Sequence, residues 1–336
     1  MSAPRSPGVP GAITSGGPRP SGLRRCLALA TALALPLVAA ACGSDGENPP
    51  SAAPAGSGTT PTTISTEPLV ISAIPDQDPE KLQRLYGTVA SYLTRTLGVT
   101  VQYTPVVDYP ASVSLFKVGD LDMVWFGGLT GVQARLQTPG SRAIVQRDVD
   151  EDFHSVFIVN NAAGLAPITD AGGLAQLKGR RFTFGSESST SGRLMPEYFL
   201  NQAGVETGDF AGQPGFSGSH DKTIELVTAG TFEAGVLNEQ VWKARLADGK
   251  ADPTKVTAFY TTPGYHDYHW VVRQDALLRY GADFEERLTR AFVDLDGSDP
   301  EQASILELFT AKRFIPTDNG NYGEIEAVGR KLGLVT

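Results

Sequence analysis

Residues 181–192 read Arg-Phe-Thr-Phe-Gly-Ser-Glu-Ser-Ser-Thr-Ser-Gly, and a helical pattern follows from about Leu194. The first four residues are typical of a short strand, and the rest form a hydroxyl-rich turn between two glycines. A strand that leads through such a turn into a helix is part of a βαβ unit. The segment therefore predicts an α/β fold with parallel strands.

The same alternation continues on both sides of this segment. On the N-terminal side, strand patterns alternate with helical patterns at 69–74, 80–97, 99–106, 109–117, 121–126 and 130–136. On the C-terminal side, helical and strand patterns follow at 194–203, 221–229, 232–237, 239–246 and 256–260. Strand patterns at 154–159 and 268–273 separate the two sets, and helices are predicted at 284–295 and 305–310.

This order predicts two α/β lobes that the chain connects by two crossings. We expect lobe 1 at 67–155, lobe 2 at 156–267, and a return to lobe 1 with C-terminal helices at 268–336. Two lobes joined by a hinge form a cleft that can close on a small ligand.

The N-terminus has the pattern of an export signal. Arg24 and Arg25 precede an apolar run that ends in small residues at Cys42-Gly-Ser, so residues 1–41 are predicted to be a signal peptide. Small residues before a cysteine resemble the bacterial lipobox, which implies that Cys42 is lipidated. The alternative is an ordinary cleaved signal with a chance cysteine.

Composition limits what the exported part can do. Residues 42–66 are rich in Ser, Ala, Pro, Gly and Thr, which predicts a flexible linker from the anchor. The only cysteines are Cys26 and Cys42, so the globular part uses neither disulfides nor thiolate metal ligands. The net charge of −9 argues against nucleic acid as a partner. An anionic ligand must then be held by local geometry.

The turn at 185–192 is the strongest candidate for a binding site. Ser189, Thr190 and Ser191 stand where a helix begins, and unpaired backbone N–H groups and the helix dipole favour an anion there. The alternative is simple N-capping. No Lys follows the glycine as in a nucleotide P-loop, and no Gly-x-Ser-x-Gly occurs as in a serine hydrolase.

Several ordered motifs carry a family resemblance. They are Asp108-Tyr-Pro110, Leu121-Asp-Met-Val-Trp-Phe-Gly127, Ser189-Thr-Ser-Gly192 with Pro196 and Tyr198-Phe199, Gly218-Ser-His-Asp221, and Ala234-Gly-Val-Leu-Asn-Glu239. Over residues 69–291 the chain resembles the phosphate-, phosphite- and phosphonate-binding family of ABC-importer binding proteins, which implies a type 2 periplasmic-binding fold. Thr262-Pro-Gly-Tyr-His-Asp-Tyr268 and Phe153-His-Ser155 resemble the branch labelled as selenate binders.

The resemblance implies a role for each matching residue. Tyr109 resembles the family's tyrosine that reaches the anion, and the Ser189–Ser191 run resembles its cradle of hydroxyl and N–H groups. The other residues implied at the cleft are Trp125, Phe126, His220, Asp221 and Asn238. The amide of Asn238 stands where amine-binding members carry an acid, which argues against aminoalkyl phosphonates.

Two tyrosines at the return crossing, Tyr265 and Tyr268, are further candidates for cleft hydroxyls. His266 and His269 are nearby, but residues three apart in a strand point to opposite faces, so we expect no metal site. His220 is alternatively a surface residue in a turn, and Trp125 a core residue. Asp221 either faces the ligand, which then must carry a proton, or holds His220 as an imidazolium.

The sequence thus predicts a binding protein without catalysis or cofactor. The expected ligand is a phosphonate, phosphite, phosphate or selenate ion, and the expected partners are an ABC permease, its ATPase and the membrane that holds the lipid anchor. We expect a monomer on the outer face of the bacterial cell membrane. The alternatives are a sensory module that reports to a membrane kinase and an exported serine hydrolase.

Overall fold

The computed structural model of the chain describes residues 65–336. The predicted signal peptide (1–41), the predicted lipidation site Cys42 and all but the last two residues of the predicted linker (42–66) lie outside this range. None of the helices within the described range combines the length and the apolarity needed to cross a bilayer.

The described residues form strands β1 to β11 at Leu69–Ala73, Val101–Tyr103, Met123–Phe126, Arg142–Arg147, Ser155–Asn160, Phe182–Phe184, Gly215–Phe216, Ala234–Asn238, Val256–Thr261, His269–Val272 and Phe314–Pro316. Helices α1 to α10 lie at Pro79–Leu97, Tyr109–Val118, Gly128–Gln137, Met195–Gln202, His220–Thr228, Glu239–Ala247, Gln274–Arg279, Phe284–Val293, Pro300–Leu308 and Gly323–Lys331. A π-helical turn, Thr190–Leu194, precedes α4.

Helix α1 shows how local sequence sets these bounds. The carboxylate of Asp78 accepts a hydrogen bond from the N–H of Lys81 at 2.9 Å, and Pro79 occupies the first turn. At the other end, Gly98 has a φ of 71°, which glycine adopts without strain. The buried residues between these caps repeat at helical spacing, so they form one face of α1 that packs into the interior of lobe 1.

The first sheet has the order β11-β4-β10-β3-β1-β2 and defines lobe 1. Strand β1 pairs in parallel with β2 and β3, as expected for βαβ units. Strand β10 returns antiparallel between β3 and β4, and β11 covers the outer edge of β4. The carboxyl ends of β1 and β3 therefore open toward one side, where loops can form a site.

The second sheet has the order β7-β6-β8-β5-β9 and defines lobe 2. Strand β6 is parallel to β7 and β8, while β5 is antiparallel to β8 and β9. The two-lobed α/β architecture predicted from the sequence is confirmed. The sequence patterns did not predict β4, β7, β11, α7 or α10, and the strand predicted at 99–106 is limited to β2.

Two crossings connect the lobes, at residues 148–154 and 262–268, near the lobe boundaries that we propose. They are bonded to each other. Phe153 and Tyr265 exchange backbone hydrogen bonds of 2.9 and 3.0 Å, and the N–H of Asp267 donates to the carbonyl of Asp150 at 3.2 Å. The crossings thus form one short double-stranded connection rather than two separate ones.

Candidate functional site

The turn that follows β6 is built by two glycines in close contact. The N–H of Gly185 donates to the carbonyl of Gly192 at 2.8 Å, and a Cβ on Gly185 would lie 3.2 Å from the Cα of Gly192. The hydroxyl of Ser189 accepts from the N–H of Gly192 at 2.9 Å and caps the π-helical turn. Ser189, Thr190 and Ser191 are buried, with the start of the turn facing the other lobe.

The start of α3 in lobe 1 meets this turn. The N–H of Leu129 donates to the hydroxyl oxygen of Thr190 at 3.0 Å, and the N–H of Gly128 donates to Oδ1 of Asp267 at 2.9 Å. A Cβ on Gly127 would lie 3.1 Å from the Thr190 hydroxyl and 3.2 Å from Asp267 Oδ1. Lobe 1, lobe 2 and the second crossing therefore converge on one point.

Three buried polar atoms at this point have no hydrogen-bond partner within residues 65–336. They are the hydroxyl oxygens of Tyr109 and Ser191 and Oδ2 of Asp267. Tyr109 opens α2, where Asp108 caps the helix by accepting from the N–H of Ala111 at 2.7 Å. Buried polar groups are nearly always paired, so unpaired ones indicate a place for a polar ligand. We call Tyr109, Ser189, Thr190, Ser191 and Asp267 the cradle.

The protonation of the cradle follows from its burial. Burial raises the pKa of Tyr109 well above its usual value, so its hydroxyl remains a hydrogen-bond donor. Burial also raises the pKa of Asp267 to about 7, although the N–H of Gly128 acts in the opposite direction. Near neutral pH, Asp267 can therefore share one proton with a ligand. Asp267 lies inside the motif 262–268, but the sequence analysis did not select it.

A second cluster surrounds the hydroxyl of Tyr268. This hydroxyl donates to Oδ2 of Asp76 at 2.8 Å, accepts from Nδ2 of Asn238 at 3.2 Å, and lies 3.2 Å from Nε2 of His220. The N–H of Asn238 donates to Nδ1 of His220 at 3.4 Å, which assigns the imidazole proton to Nε2. We call Asp76, His220, Asn238 and Tyr268 the Tyr268 network.

Burial disfavours the charged forms of the ionisable groups in the Tyr268 network. Burial lowers the pKa of His220 to about 4, so the imidazole is neutral at pH 7 and does not act as a cation. Burial raises the pKa of Asp76 to about 6, while the hydrogen bond from Tyr268 lowers it. The backbone N–H of His220 also donates to the carbonyl of Asp76 at 3.0 Å, which joins the lobes.

Arg147 is a functional candidate that the sequence analysis missed, because it ends the unpredicted strand β4. Its guanidinium makes two hydrogen bonds of 2.7 Å to Asp150 and lies 5.1 Å from the ring of Tyr268 and 5.6 Å from that of Trp125. The Arg147 cation is therefore already paired with Asp150.

Asp221 does not turn toward the cradle. Its carboxylate forms two hydrogen bonds with Arg245, of 2.5 and 2.9 Å, and accepts from the N–H of Asp78 at 2.9 Å. Burial acts to raise the pKa of Asp221, but Arg245 outweighs it and holds the pKa below its usual value. Asp221 thus joins lobe 2 to the start of α1 at the rim of the cleft.

The remaining predicted site residues lie around these clusters. The ring of Trp125 stacks on Tyr268 with centroids 5.9 Å apart, and Phe126 is buried in the core against Phe116. The Tyr265 hydroxyl lies 2.6 Å from that of Ser155. The side-chain oxygen of Asn238 caps α6.

Two other features complete the site. A cavity of about 30 Å³ is lined in part by Asp76, Trp125, Arg147, Asn238 and Tyr268. No three His, Asp or Glu side chains in the described part of the chain come together as metal ligands.

Comparison with known proteins places this chain in a family. The pattern that defines the family described as "ABC transporter, phosphonate, periplasmic substrate-binding protein" matches residues 71–322. The chain is 49% identical over 276 residues to the "Probable ABC transporter phosphite binding protein PhnD1" of Prochlorococcus marinus, covering 82% of this chain and 93% of that protein. It is 27% identical over 198 residues to the "Phosphate-import protein PhnD" of Mycolicibacterium smegmatis, covering 56% and 60%.

A solved structure agrees with the sequence comparison. The structure of PhnD1 from Prochlorococcus marinus in complex with methylphosphonate superposes with a TM-score of 0.79 at 49% identity, covering 81% of this chain and 100% of that one. These relatives are substrate-binding components of transporters and not enzymes, so we set aside the serine hydrolase alternative.

Proposed function

Because the chain belongs to the family of periplasmic substrate-binding proteins of phosphonate ABC transporters, we propose that it captures phosphite or a short phosphonate between its lobes. The ligand in this proposal is a phosphorus oxyanion that can carry one proton. The observation that carries the proposal is the set of three buried, unpartnered polar atoms of the cradle, from Tyr109, Ser191 and Asp267.

The polarity of these atoms fits such an ion. The hydroxyls of Tyr109 and Ser191 donate to anionic oxygens, and N–H groups at the start of the π-helical turn add further donors. Asp267, in contrast, offers a carboxylate oxygen. An ionised carboxylate beside a fully ionised anion would repel it, whereas a protonated ligand oxygen donates to the carboxylate. Phosphite, phosphate and phosphonates retain such a proton near neutral pH.

Selenate is the second candidate, suggested by the motif at 262–268. Selenate has no proton near neutral pH, so Asp267 would have to be protonated before it could donate to this ion. Selenate binding should then weaken as pH rises above about 7, the value to which burial raises the pKa of Asp267. The 49% identity to a phosphite-binding protein also supports the phosphorus ligand.

Delivery to a membrane permease completes the proposed role. Cys42 would hold the protein at the outer face of the membrane by its lipid, and residues 42–66 would let the lobes reach the permease and its ATPase. The alternative is a sensor for a membrane kinase with the same fold and cradle. Neighbouring genes distinguish them: permease and ATPase genes support import, and a kinase gene supports sensing.

Calorimetric titration tests the ligand. The purified protein would be unfolded and refolded to remove bound ligand, then titrated with phosphite, methylphosphonate, phosphate, selenate and sulfate at pH 8. We expect micromolar or tighter binding of phosphite or methylphosphonate, about −8 kcal/mol or better. Selenate and sulfate should bind at least 100-fold more weakly, about 2.7 kcal/mol. Tightest binding of selenate, or binding of none of the five, would overturn the proposal.

A further inference from the structure

His269, the first residue of β10, is a buried imidazole that belongs neither to the cradle nor to the Tyr268 network. Its Nδ1 lies 3.0 Å from the carbonyl oxygen of Asp267, and its Nε2 lies 2.6 Å from Nη1 of Arg135. A carbonyl only accepts and a guanidinium only donates, so the ring proton is on Nδ1. His269 therefore donates to Asp267 and accepts from Arg135.

The bond from His269 completes the hydrogen bonding that holds Asp267. The N–H of Asp267 donates to the carbonyl of Asp150 at 3.2 Å, and its Oδ1 accepts from the N–H of Gly128 at 2.9 Å. With its carbonyl bonded to His269, Asp267 has one polar atom left without a partner in the described part of the chain, Oδ2. The direction of Oδ2 in the cradle is therefore set by the bonds to the rest of the residue.

The His269 ring is also packed closely against α3, the helix whose first N–H groups bond to Asp267 and Thr190. A Cβ on Gly131 would lie 2.4 Å from Cε1 and Nε2 of this ring, so glycine is the residue that leaves room for it. The ring stacks on Tyr322 with centroids 3.7 Å apart. Contacts with α3 and with Tyr322 thus fix the position of the imidazole.

We propose that His269 is a positioning residue for the cradle, acting through Asp267 and α3 without touching the ligand. This inference rests on the proposed function. The Nδ1–H of His269 holds the backbone of Asp267, and the ring holds α3 against that backbone. Without the Nδ1–H, the buried carbonyl of Asp267 would have no donor, and the chain would shift to find one. Such a shift would move Oδ2 away from the proton of the ligand.

Two amide substitutions, each of which keeps one side of the imidazole, test this role. The amide nitrogen of asparagine is as far along the side chain as Nδ1, so His269→Asn can still donate to Asp267. The amide of glutamine corresponds to Nε2, so His269→Gln keeps the side toward Arg135 and loses the bond to Asp267. In calorimetric titration with phosphite, His269→Asn should bind within about threefold of wild type, and His269→Gln about 10- to 100-fold more weakly.

Denaturant unfolding of both variants separates positioning from a purely structural role. If His269 only stabilised the fold, the affinity would follow the stability, and the two amide variants would bind phosphite alike whenever they were equally stable. Equal affinities of the two folded variants would overturn the inference. Failure of the wild type to bind either phosphite or methylphosphonate would show instead that the proposed function has failed.

Nitrogen-15 NMR of the wild-type protein gives a second test, which does not depend on how the variants fold. The chain has four histidines, and His269→Asn identifies the signals of His269 by their loss. Burial lowers the pKa of His269 well below its usual value, and the charge of Arg135 acts in the same direction. The ring should therefore be neutral between about pH 6 and 8, with its proton on Nδ1. A proton on Nε2 in this range would overturn the inference.

Discussion

The hydroxyl of Thr190 in lobe 2 accepts a hydrogen bond of 3.0 Å from the backbone N–H of Leu129 in lobe 1. This bond exists only when the lobes are together, because the two residues belong to different sheets and their helices. Removing this hydrogen bond should therefore weaken closure of the lobes, and with it the affinity for the ligand, more than it weakens the folding of either lobe.

Thr190→Val should weaken anion binding while sparing the fold. The substitution keeps the side-chain volume but leaves the N–H of Leu129 buried and unpaired in the closed form, at a cost of about 1–3 kcal/mol. Calorimetry should show a loss of about 10- to 100-fold in affinity. Thr190→Ser is the matched control and should bind nearly as wild type. Equal affinity of the Val and Ser variants would remove this bond from the closure mechanism.

Ser191→Ala should reduce affinity without reducing stability. The Ser191 hydroxyl is buried and unpartnered in the described structure, so its removal takes away no protein hydrogen bond. The free energy of unfolding should stay within about 0.5 kcal/mol of wild type, while binding weakens about tenfold. Ser155→Ala is the contrast, because its hydroxyl donates to the carbonyl of Ser191 at 2.8 Å and lies 2.6 Å from the Tyr265 hydroxyl. Ser155→Ala should lower stability.

Asp267→Asn should become more stable relative to wild type as pH rises. Burial raises the pKa of Asp267 to about 7, above the value of about 3.9 in an unfolded chain. The folded protein then binds more protons than the unfolded chain between about pH 4 and 7, so this residue lowers stability as pH rises through that window.

The expected difference between the variant and wild type grows by about 2–3 kcal/mol from pH 5 to pH 8. Denaturant unfolding at both pH values measures it, with Asp120→Asn as a control at an exposed carboxyl. A stability difference that does not change with pH would mean that the pKa of Asp267 in the folded protein is close to its usual value. In calorimetry, Asp267→Asn should also raise selenate affinity relative to phosphite, since the competing charge is gone.

Asp221→Asn should weaken the binding of all the anions by a similar factor. The Asp221 carboxylate bonds to Arg245 and to the N–H of Asp78 across the lobes, so its loss should destabilise the protein by about 3 kcal/mol and disfavour closure. Asp248→Asn is the control, because Asp248 holds the same guanidinium without bonding to lobe 1. A change in the ratio of selenate to phosphite affinity would show instead that Asp221 faces the ligand.

Cys42→Ser should release the protein from the membrane fraction. The substitution removes the thiol that we propose carries the lipid, and cell fractionation with immunoblotting measures the result. The control is Cys26→Ser, a substitution within the predicted signal peptide. This variant should remain in the membrane fraction. Continued membrane association of Cys42→Ser would exclude lipidation at this residue.

The sequence predicted the cradle where the signal was local. A strand, two glycines and consecutive hydroxyls determine the turn at 185–192 by their own conformational preferences, so this part of the site could be placed without tertiary information. Strand β4 carried no comparable signal, because Arg142 and Arg147 at its ends resemble an exposed segment. Arg147 is buried only because Asp150 and three aromatic rings surround it.

The bonding within the site could not be predicted from the sequence. His220, Asn238 and Tyr268 were each expected at the cleft, but the pattern did not indicate that the first two bond to the Tyr268 hydroxyl, which in turn donates to Asp76. Similarly, the carboxylate that belongs to the cradle is that of Asp267, while Asp221 is turned toward Arg245, 24 residues further along the chain. These contacts depend on which side chains, distant from each other in sequence, come together in the folded chain.

The paired crossings have a consequence for the energetics of closure. Two independent linkers would let lobe 2 tilt, twist and slide, and each of these freedoms would have to be lost on binding. Because Phe153 and Tyr265 bond the crossings to each other, and Asp267 bonds to Asp150 beside them, lobe 2 has fewer ways to move relative to lobe 1. Part of the entropy of aligning the two lobes is therefore lost during folding and not on binding.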